Sequence, residues 1–361
     1  MDKVRSKSVI DNVLNRYASQ VPGLQHIITN EDCFLFEYAG GWADIQNQKL
    51  MTPDTTMMGY SMTKVFTATA ILQLVEQEKL ELSDEMDHYL ADTPYAGHHI
   101  TIRQLLDHTS GIRNPIPLRW VHLVDDDVNF DEDAALAQVL HDNPKLAFEP
   151  GQKFAYSNIG YWLLGKLIER VTGEPYTDYV RANILSPLGL LAQEMNFAIP
   201  DPGQHANGYL AKYSLMNLGK GFVTDRKFWG GYEGDWLRIK SHYPNGPAFG
   251  GLVGTARGFA YFLQDQLRAE SLLFEPETKR LLETKQTDKN GQPIPMTLGW
   301  HIGGRNGSTY FFKEGGGGGF HSEMRIYPRK GIASIAMANS TTFNATSFLN
   351  EMDSAFLSAS S

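Results

Sequence analysis

The pattern of apolar and polar positions divides the chain into strand-rich ends and a helical middle. Residues up to about Gln20 carry apolar side chains near helical spacing, and two strand-like runs follow at Leu24–Thr29 and Cys33–Tyr38. The polar segment Asn30–Asp32 between these runs predicts a hairpin. The glycine pair Gly40–Gly41 is expected to end the second strand.

The helical middle begins at Ser61. From Val65 to Val75 the apolar side chains occupy most faces of the predicted helix, which indicates a central, buried helix. Helical spacing then continues to about Arg181. Farther along, the chain alternates strand-like runs with one more helix. The runs cover Thr309–Phe312, Ser322–Tyr327 and Ile332–Ala338, and the helix covers Ala345–Phe356.

Strands at both ends around a helical middle predict an α/β fold of the α+β type, in which both ends of the chain build one sheet. We predict a discontinuous α/β lobe from residues 1–60 and 200–361 and a mainly helical lobe from residues 61–199. Ligand sites concentrate in clefts between such lobes, so the active site is expected there.

Composition narrows the classes of function. Hydrophobic residues make up 42% of the chain and charged residues 20%, as in ordinary globular proteins. The net charge of −9 and the lack of a basic run give no support for nucleic-acid binding. No apolar run approaches the ~20 residues of a membrane span. The polar N-terminal segment differs from a signal peptide, so a cytoplasmic protein is predicted unless such a peptide was removed.

The numbers and positions of cysteine and histidine argue against an internal disulfide and a metal site. The single cysteine, Cys33, rules out an internal disulfide, and within its apolar run it is expected to be buried in a strand. The four histidines His88, His98, His99 and His108 lack the spacing of a metal site. We therefore predict neither a metal nor another cofactor.

A nucleophile and a base are spaced one helical turn apart at the start of the buried helix. In the sequence Ser-Met-Thr-Lys, the Ser61 hydroxyl and the Lys64 amine share one helix face. A lysine whose charge is disfavoured by burial or by a nearby cation can take the serine proton at neutral pH. The helix N-terminus also favours developing negative charge. Taken alone, the pair is more typical of an N-cap serine followed by a surface lysine.

Two further segments carry groups that would assist such a serine. Tyr156 is a candidate general base if nearby lysines lower its pKa, and Asn158 offers an amide that can position a substrate carbonyl or the lysine. Lys313 follows a strand-like run and precedes Gly315–Gly319, whose N–H groups can complete an oxyanion hole. Taken alone, Tyr156 also fits a packed aromatic residue, and the glycines fit a flexible hinge beside a solvated lysine.

The order of these three motifs, at Ser61, Tyr156 and Lys313, resembles that of one superfamily. The chain is similar to the serine β-lactamase and penicillin-binding-protein superfamily, in particular to its class C-like branch of β-lactamases, DD-peptidases and family VIII carboxylesterases. The resemblance extends from about Gly23 to Asn339. Other matching segments are Gly41–Asp44, Thr101–Gly111, Phe148–Asn158, Gly250–Val253 and Leu298–Trp300.

The resemblance implies a β-lactamase/transpeptidase-like fold, with an antiparallel sheet flanked by helices, an all-helical lobe and the active site in the cleft between them. It also implies an acyl-enzyme route without a cofactor. Ser61 would attack an acyl carbonyl after Lys64 and Tyr156 remove its proton, and Tyr156 would later activate water. The backbone N–H groups of Ser61 and Gly316 would hold the oxyanion. Substrate contacts would come from Asn158, Lys313, Glu314 and Gly315.

One residue departs from the family pattern. β-Lactamases usually have a hydroxyl residue at the position of Glu314, where it helps to hold a substrate carboxylate. A carboxylate that faced the site would repel such substrates, whereas Glu314 can also point away or pair with Lys313. We therefore predict a carboxylesterase for small esters with weak or no β-lactamase activity. The alternatives are a β-lactamase or D-alanyl-D-alanine carboxypeptidase, and a non-catalytic β-lactam- or peptide-binding module.

The expected partner is a small-molecule ester or amide, and the oligomeric state is left open. The aromatic-rich stretch between Tyr209 and Phe249 fits two roles with respect to such a substrate. Its side chains can line an apolar pocket for the acyl or alcohol group, or they can pack in the core. The stretch also contains Tyr213, Phe222, Phe228, Trp229, Tyr232, Trp236 and Tyr243.

Overall fold

The structure is a computed structural model that describes residues 2–115, 119–218, 225–305 and 307–359. Phe222 of the aromatic-rich stretch lies outside the described residues. Helices of the described chain lie at Asp2–Ala18 (α1), Thr63–Glu76 (α2), Ile102–Leu106 (α3), Glu132–Asp142 (α4), Asn158–Thr172 (α5), Tyr176–Val180 (α6), Pro247–Gly250 (α7), Ala256–Leu267 (α8), Pro276–Glu283 (α9) and Ala345–Ala359 (α10). Strands lie at Gly23–Thr29 (β1), Phe34–Asp44 (β2), Lys49–Leu50 (β3), Met57–Met58 (β4), Val121–Leu123 (β5), Met195–Asn196 (β6), Gly208–Ala211 (β7), Trp229–Glu233 (β8), Trp236–Ile239 (β9), His242–Pro244 (β10), Val253–Gly254 (β11), His301–Arg305 (β12), Ser308–Gly317 (β13), Phe320–Tyr327 (β14) and Ile332–Ala338 (β15).

Both ends of the described chain contribute to one antiparallel sheet. Its strand order is β12-β13-β14-β15-β1-β2-β3, and β1 lies between β15 and β2, with Ile27 opposite Ile335 on one side and Glu37 on the other. Each neighbouring pair of strands is antiparallel. The structure confirms the predicted α/β class, with a sheet built from both ends of the chain.

Helices cover both faces of this sheet. Every residue of β1 is buried. Leu24 packs with Phe348 of α10 on one face, whereas Ile27 belongs to the core on the other face, which includes Phe259 and Phe262 of α8. Strands covered on both faces read as continuous apolar runs, which explains why β15 shows little alternation of apolar and polar residues.

The helix that follows Ser61 is the centre of a second group of elements. All of its residues from Thr63 to Leu74 are buried, which explains why apolar side chains occupy most of its faces. It packs against α5, α6 and α7, and a 3-10 turn at Tyr60–Met62 leads into it. The division into lobes at residues 61 and 199 stays a prediction.

The first hairpin forms as expected, but two predictions for its second strand are wrong: that Cys33 is buried in the strand, and that the strand ends at Gly40–Gly41. Cys33 is exposed and precedes β2, because its N–H donates to the Asn30 side chain (2.8 Å) and its carbonyl accepts from the Thr29 hydroxyl (2.9 Å). These bonds hold Cys33 in the turn. The second strand also continues past the two glycines to Asp44. Gly41 adopts φ +85°, a conformation that favours glycine, while it remains paired in the sheet.

Four short strands that include parts of the aromatic-rich stretch belong to small sheets beside the main one. Strands β7, β9 and β8 form one of them, and β10 pairs with β5 in another. The Tyr209 N–H donates to the carbonyls of Gly319 and Asn339, both at 3.1 Å, which joins β7 to the end of the main sheet. This arrangement places β7, β8 and β9 next to the turn between β13 and β14.

Candidate active site

The candidate site centres on the Ser61 hydroxyl, which lies between an amine and a phenol. Lys64 Nζ is 3.1 Å from Ser61 Oγ, and the Tyr156 hydroxyl donates a hydrogen bond to the same oxygen at 2.8 Å. Lys64 Nζ also donates to Asn158 Oδ1 (2.8 Å) and to the Phe249 carbonyl (2.6 Å). The structure thus brings together four of the residues selected from the sequence motifs.

Local structure fixes these four side chains. Ser61 lies in the 3-10 turn that precedes α2, and Lys64 lies three residues on, in the first turn of the helix. Tyr156 and Asn158 flank Ser157, which caps α5 by accepting a backbone N–H three residues further on at 3.1 Å. The start of one buried helix therefore supplies the hydroxyl of the candidate nucleophile Ser61 and the amine, and the capped start of another supplies the phenol and the amide.

Burial controls the charge of the two lysines at the site. Burial, together with the charge of Lys313, lowers the pKa of Lys64 well below its ordinary range. Burial alone lowers the pKa of Lys313 to about 7. Neither side chain is exposed to solvent, so the site favours the neutral amine of Lys64 at neutral pH.

The pKa of Tyr156 is raised, whereas a role as general base requires it to be lowered. Burial raises its pKa, and the hydrogen bond to Ser61 offsets only part of this rise. The Nζ atoms of Lys64 and Lys313 lie 5.0 and 5.3 Å from the centroid of its ring. The condition set for Tyr156 as a general base, a pKa lowered by nearby lysines, is therefore not met in the resting site, because burial disfavours the positive charge of these lysines. Tyr156 is therefore a neutral phenol in the resting site.

The third motif lies on β13, beside the turn that carries Ser61. Lys313 is buried, and its Nζ donates to the Gly299 carbonyl at 3.3 Å. A Cβ atom at Gly315 would lie 2.1 Å from the Gly59 carbonyl oxygen. Only a glycine at position 315 allows the strand and the turn to approach each other this closely.

The backbone of Gly316 faces the edge of β13 that is turned away from β14. Strand β12 pairs with β13 only as far as Phe312, and alternate residues of a strand direct their backbone groups to the same edge. The N–H of Gly316 therefore follows that of Phe312 toward this edge. Gly316 lines the cleft together with Ser61, which agrees with this orientation.

Glu314 lies on the opposite face of β13 from Lys313. Its Oε1 is 2.7 Å from His321 Nε2 on β14, and this hydrogen bond lowers the pKa of Glu314. A pair between Glu314 and Lys313, one of the two expected arrangements, is wrong because adjacent strand residues point to opposite faces. His321 is not among the site residues predicted from the sequence. The signal for it is the Gly318–Gly319 turn, which sets a register that makes His321 a diagonal neighbour of Glu314.

A largely apolar cleft of about 570 Å³ adjoins Ser61. Among its described lining residues there is no Lys, Arg, Asp or Glu. Within the aromatic-rich stretch, Phe228 and Trp229 line the cleft, whereas Tyr209 and Tyr243 are buried. Aromatic side chains of the stretch therefore both line the cleft and pack in the core, and the binding of an acyl or alcohol group in the cleft stays a prediction. The apolar walls include Tyr60, Trp120, Leu210, Phe228, Trp229 and Phe249.

The histidine segment next to the site holds the backbone in place. His108 is fully buried, and its Nδ1 accepts the Ser157 N–H at 3.1 Å; burial lowers its pKa well below the ordinary range. In the part of the chain that the structure describes, no group of three or more His, Cys, Asp and Glu side chains is arranged to hold a metal ion. No helix in that part is both long enough and apolar enough to cross a membrane.

Two curated proteins are similar to this chain over part of their length. Penicillin-binding protein 4* of Bacillus subtilis (strain 168) is 30% identical over 156 residues, which are 43% of this chain and 34% of that protein. Protein flp of Staphylococcus aureus (strain NCTC 8325 / PS 47) is 30% identical over 191 residues, which are 51% of this chain and 37% of that protein. The aligned regions therefore span about a third of the length of these relatives.

Solved structures match over nearly the whole chain, and a family assignment follows. The octameric penicillin-binding protein homologue from Pyrococcus abyssi has a TM-score of 0.78 and 25% identity, covering 99% of this chain and 77% of that one. The D-amino acid amidase from Ochrobactrum anthropi SV3 has a TM-score of 0.81 and 21% identity, covering 99% and 100%. The sequence model of the Beta-lactamase family matches residues 9–354. The chain therefore has the predicted β-lactamase/transpeptidase-like fold and belongs to the Beta-lactamase family, a family of serine hydrolases.

Proposed function

We propose that the protein is a carboxylesterase that forms an acyl-enzyme on Ser61 from small, uncharged esters. The observation that carries the proposal is the set of hydrogen bonds around Lys64 Nζ. Two of its neighbours, Asn158 Oδ1 and the Phe249 carbonyl, can only accept hydrogen bonds. A neutral amine has two N–H bonds for these acceptors and one lone pair, which is left to accept the proton of Ser61 Oγ at 3.1 Å.

Acylation of the serine follows from this arrangement. Lys64 takes the Ser61 proton while Oγ bonds to the ester carbonyl carbon, and the N–H groups of Ser61 and Gly316 stabilise the oxyanion. The carbonyl then re-forms and the bond to the alcohol oxygen breaks. Tyr156, whose hydroxyl is 2.8 Å from Ser61 Oγ, gives its proton to the leaving alkoxide and regains one from Lys64.

Deacylation uses the same groups in the reverse direction. Water attacks the acyl carbon, and its proton passes through Tyr156 to Lys64. The bond between the acyl carbon and Ser61 Oγ then breaks. The proton held by Lys64 returns to Oγ, the carboxylic acid leaves, and the resting site is restored.

The lining of the cleft favours an uncharged substrate that carries an apolar group. Its described walls carry aromatic and aliphatic side chains and no Lys or Arg, whereas β-lactams and D-alanyl-D-alanine peptides bring a carboxylate that needs a cation or a hydroxyl. Glu314 supplies neither. Amides fit the same acyl-enzyme chemistry, but esters release a better leaving group, and the similarity to the D-amino acid amidase at 21% identity concerns the fold.

Comparative kinetics test the proposal. We would measure kcat/KM for p-nitrophenyl acetate, p-nitrophenyl butyrate and a chromogenic cephalosporin with wild type and Ser61→Ala. Ester turnover should fall at least about 1,000-fold in the variant, because the nucleophile is lost. The control is Ser83→Ala, which removes a hydroxyl from an exposed turn and should retain wild-type rates.

The outcomes separate the alternatives. Fast ester turnover that depends on Ser61, with slow cephalosporin opening, is the result expected for a carboxylesterase. Fast cephalosporin opening would instead assign β-lactamase chemistry to the site. Equal rates in wild type and Ser61→Ala would contradict the acyl-enzyme and favour the non-catalytic binding module.

A further inference from the structure

A charged pair lies on the strand that carries the third motif. Glu314 Oε1 on β13 and His321 Nε2 on β14 are 2.7 Å apart, and the other ring nitrogen of His321 is hydrogen-bonded to the Phe343 carbonyl. The Glu314 side chain is 47% exposed, and that of His321 is 19% exposed. The carboxylate therefore reaches the imidazole from the solvent side of the sheet.

The partners of His321 define its protonation state. Both ring nitrogens face groups that accept hydrogen bonds, a carboxylate and a backbone carbonyl. A neutral imidazole carries a single N–H and would leave one acceptor facing a lone pair, whereas an imidazolium donates to both. Burial opposes this charge, but the hydrogen bonds to Glu314 and Phe343 outweigh it and raise the pKa of His321. The ring is therefore the cation of an ion pair.

This cation lies against the proposed oxyanion hole. His321 is the cross-strand partner of Gly316, and a Cβ atom at Gly316 would lie 2.9 Å from His321 Cδ2. The imidazole therefore covers the face of the residue whose N–H is proposed to bind the oxyanion. His321 also lines the cleft together with Ser61.

His242 is the other histidine among the described residues that line the cleft, and both of its ring nitrogens are hydrogen-bonded within the protein. His242 Nε2 is 3.1 Å from the Tyr60 hydroxyl, and its Nδ1 is 2.8 Å from the Lys240 carbonyl. Burial lowers the pKa of His242. The cleft wall therefore offers one side chain that can act as a cation for a substrate carboxylate, and Glu314 already pairs with it.

We propose that Glu314 acts as an internal carboxylate that occupies the anion-binding position His321 would otherwise offer to a substrate. The pair thereby determines specificity, because a substrate carboxylate meets the repulsion of Glu314 and finds no free donor on His321. This inference rests on the proposed esterase function and names the feature of the site that restricts it to uncharged substrates. Removal of the Glu314 carboxylate should turn His321 into an anion-binding residue.

A pair of esters that differ in charge tests the inference. We would compare kcat/KM for 3-carboxyphenyl butyrate with that for its methyl ester, 3-(methoxycarbonyl)phenyl butyrate, so that the acyl group stays constant. In Glu314→Thr the ratio of the charged to the uncharged substrate should rise at least about tenfold over wild type, since a repulsion is removed and the substrate carboxylate can replace Glu314 as the partner that keeps His321 protonated. A second substitution, His321→Asn, should cancel this gain in the double variant.

Two further variants test whether a change in the substrate ratio could arise from misfolding of Glu314→Thr. Glu314→Gln keeps the size of the side chain and a hydrogen bond to His321 while it removes the charge, so the ratio should also rise, by less than in Glu314→Thr. The control is Glu85→Thr, which breaks a Glu–His pair of similar length (Glu85 to His99, 2.9 Å) outside the cleft lining. The control should leave the ratio at the wild-type value.

Each failure has its own signature. An unchanged ratio in Glu314→Thr and Glu314→Gln, with turnover of the methyl ester still dependent on Ser61, would overturn the role of Glu314. A gain that survives His321→Asn would assign anion binding to another group and contradict the role of His321. If wild type shows no Ser61-dependent turnover of the methyl ester, the proposed esterase function fails instead.

Discussion

At the scale of single residues, the amine of Lys64 has two acceptor oxygens and one hydroxyl within hydrogen-bonding distance. Burial and the neighbouring charge of Lys313 both act against its protonation. A lysine in these surroundings differs from one in water, where its pKa is about 10.4. The neutral amine, which the proposed chemistry needs, is thus the form that the surrounding residues stabilise.

The pH dependence of ester hydrolysis follows from this electrostatic arrangement. Activity should rise with pH as Lys64 loses its proton and should reach its plateau far below the pKa of a free lysine. In Lys313→Met the acid limb of kcat/KM should move to higher pH, because removal of the neighbouring charge raises the pKa of Lys64. The measurement is a pH–rate profile from pH 5 to 10, with Lys145→Met at an exposed position as control. An acid limb that stays in place in Lys313→Met would argue against Lys64 as the base.

The sequence spacing was enough to predict that some candidate-site residues lie close together, because these residues are neighbours along one helix. Ser61 and Lys64 lie three positions apart, so helix geometry alone places them together. The charge state of Tyr156 was not predictable, because it depends on burial by distant residues. The pairing of Glu314 with His321 depends on the register of two strands and on side-chain direction. The exposure of Cys33 depends on a turn closed by side-chain hydrogen bonds.

At the scale of elements, the approach of β13 to the turn that carries Ser61 sets the width of the proposed oxyanion hole. The two meet where Gly315 faces the Gly59 carbonyl. The ring of Tyr60 fills the space next to Gly317, and its hydroxyl donates to the Gly318 carbonyl at 2.8 Å. Tyr60, the residue immediately before Ser61, is therefore hydrogen-bonded to the turn that follows β13.

A methyl group at this contact should separate the two elements. In Gly315→Ala the new Cβ would lie 2.1 Å from the Gly59 carbonyl oxygen, and overpacking of this kind costs about 1–3 kcal/mol of unfolding free energy. We expect a lower midpoint of chemical denaturation and a loss of kcat that exceeds any change in KM. Gly304→Ala on β12 is the matched control, because a Cβ atom there meets no atom within 4 Å. Wild-type stability and kcat in Gly315→Ala would show that the contact is not tight in solution.

At the scale of the whole molecule, several buried or half-buried histidines are held in neutral form. The pKa of His26 is lowered to about 4, that of His205 to about 3 and that of His301 to about 2, mainly by burial, and that of His108 is also lowered. In the unfolded chain each histidine takes up a proton near pH 6.5. Between about pH 6.5 and 4 the unfolded state therefore binds more protons, and stability decreases as the pH falls.

Acid should consequently destabilise the protein well before its carboxylates titrate fully. Each of these histidines steepens the loss by at most about 1.4 kcal/mol per pH unit. Asp107 and Asp353, whose pKa values burial raises to about 6, act in the opposite direction and reduce the net slope. In His26→Gln the unfolding free energy should depend less steeply on pH between 6.5 and 4, as measured by urea denaturation. An unchanged slope in His26→Gln, relative to the exposed control His98→Gln, would contradict the neutral buried His26.

The architecture was predictable at this scale because hydrophobic patterning distinguishes a buried all-apolar helix from alternating strands. The runs at Ile332–Ala338 and Leu24–Thr29 match β15 and β1 closely. The small sheets around the cleft were not predicted, because the aromatic-rich stretch shows no clear period. The lobe limits and the cytoplasmic location stay predictions.

The pairing of β1 with β15 also has a consequence for biosynthesis. At about 5–20 residues per second, the 309 positions between His26 and Ile335 take roughly 15–60 s to translate. During that time β1 has no partner on one side, and its apolar residues lack their core. Closure of the sheet has to wait until β15 has been synthesised, so we expect the nascent chain to expose an unpaired edge of β1 until then. A fragment released before β15 has no route to the native sheet.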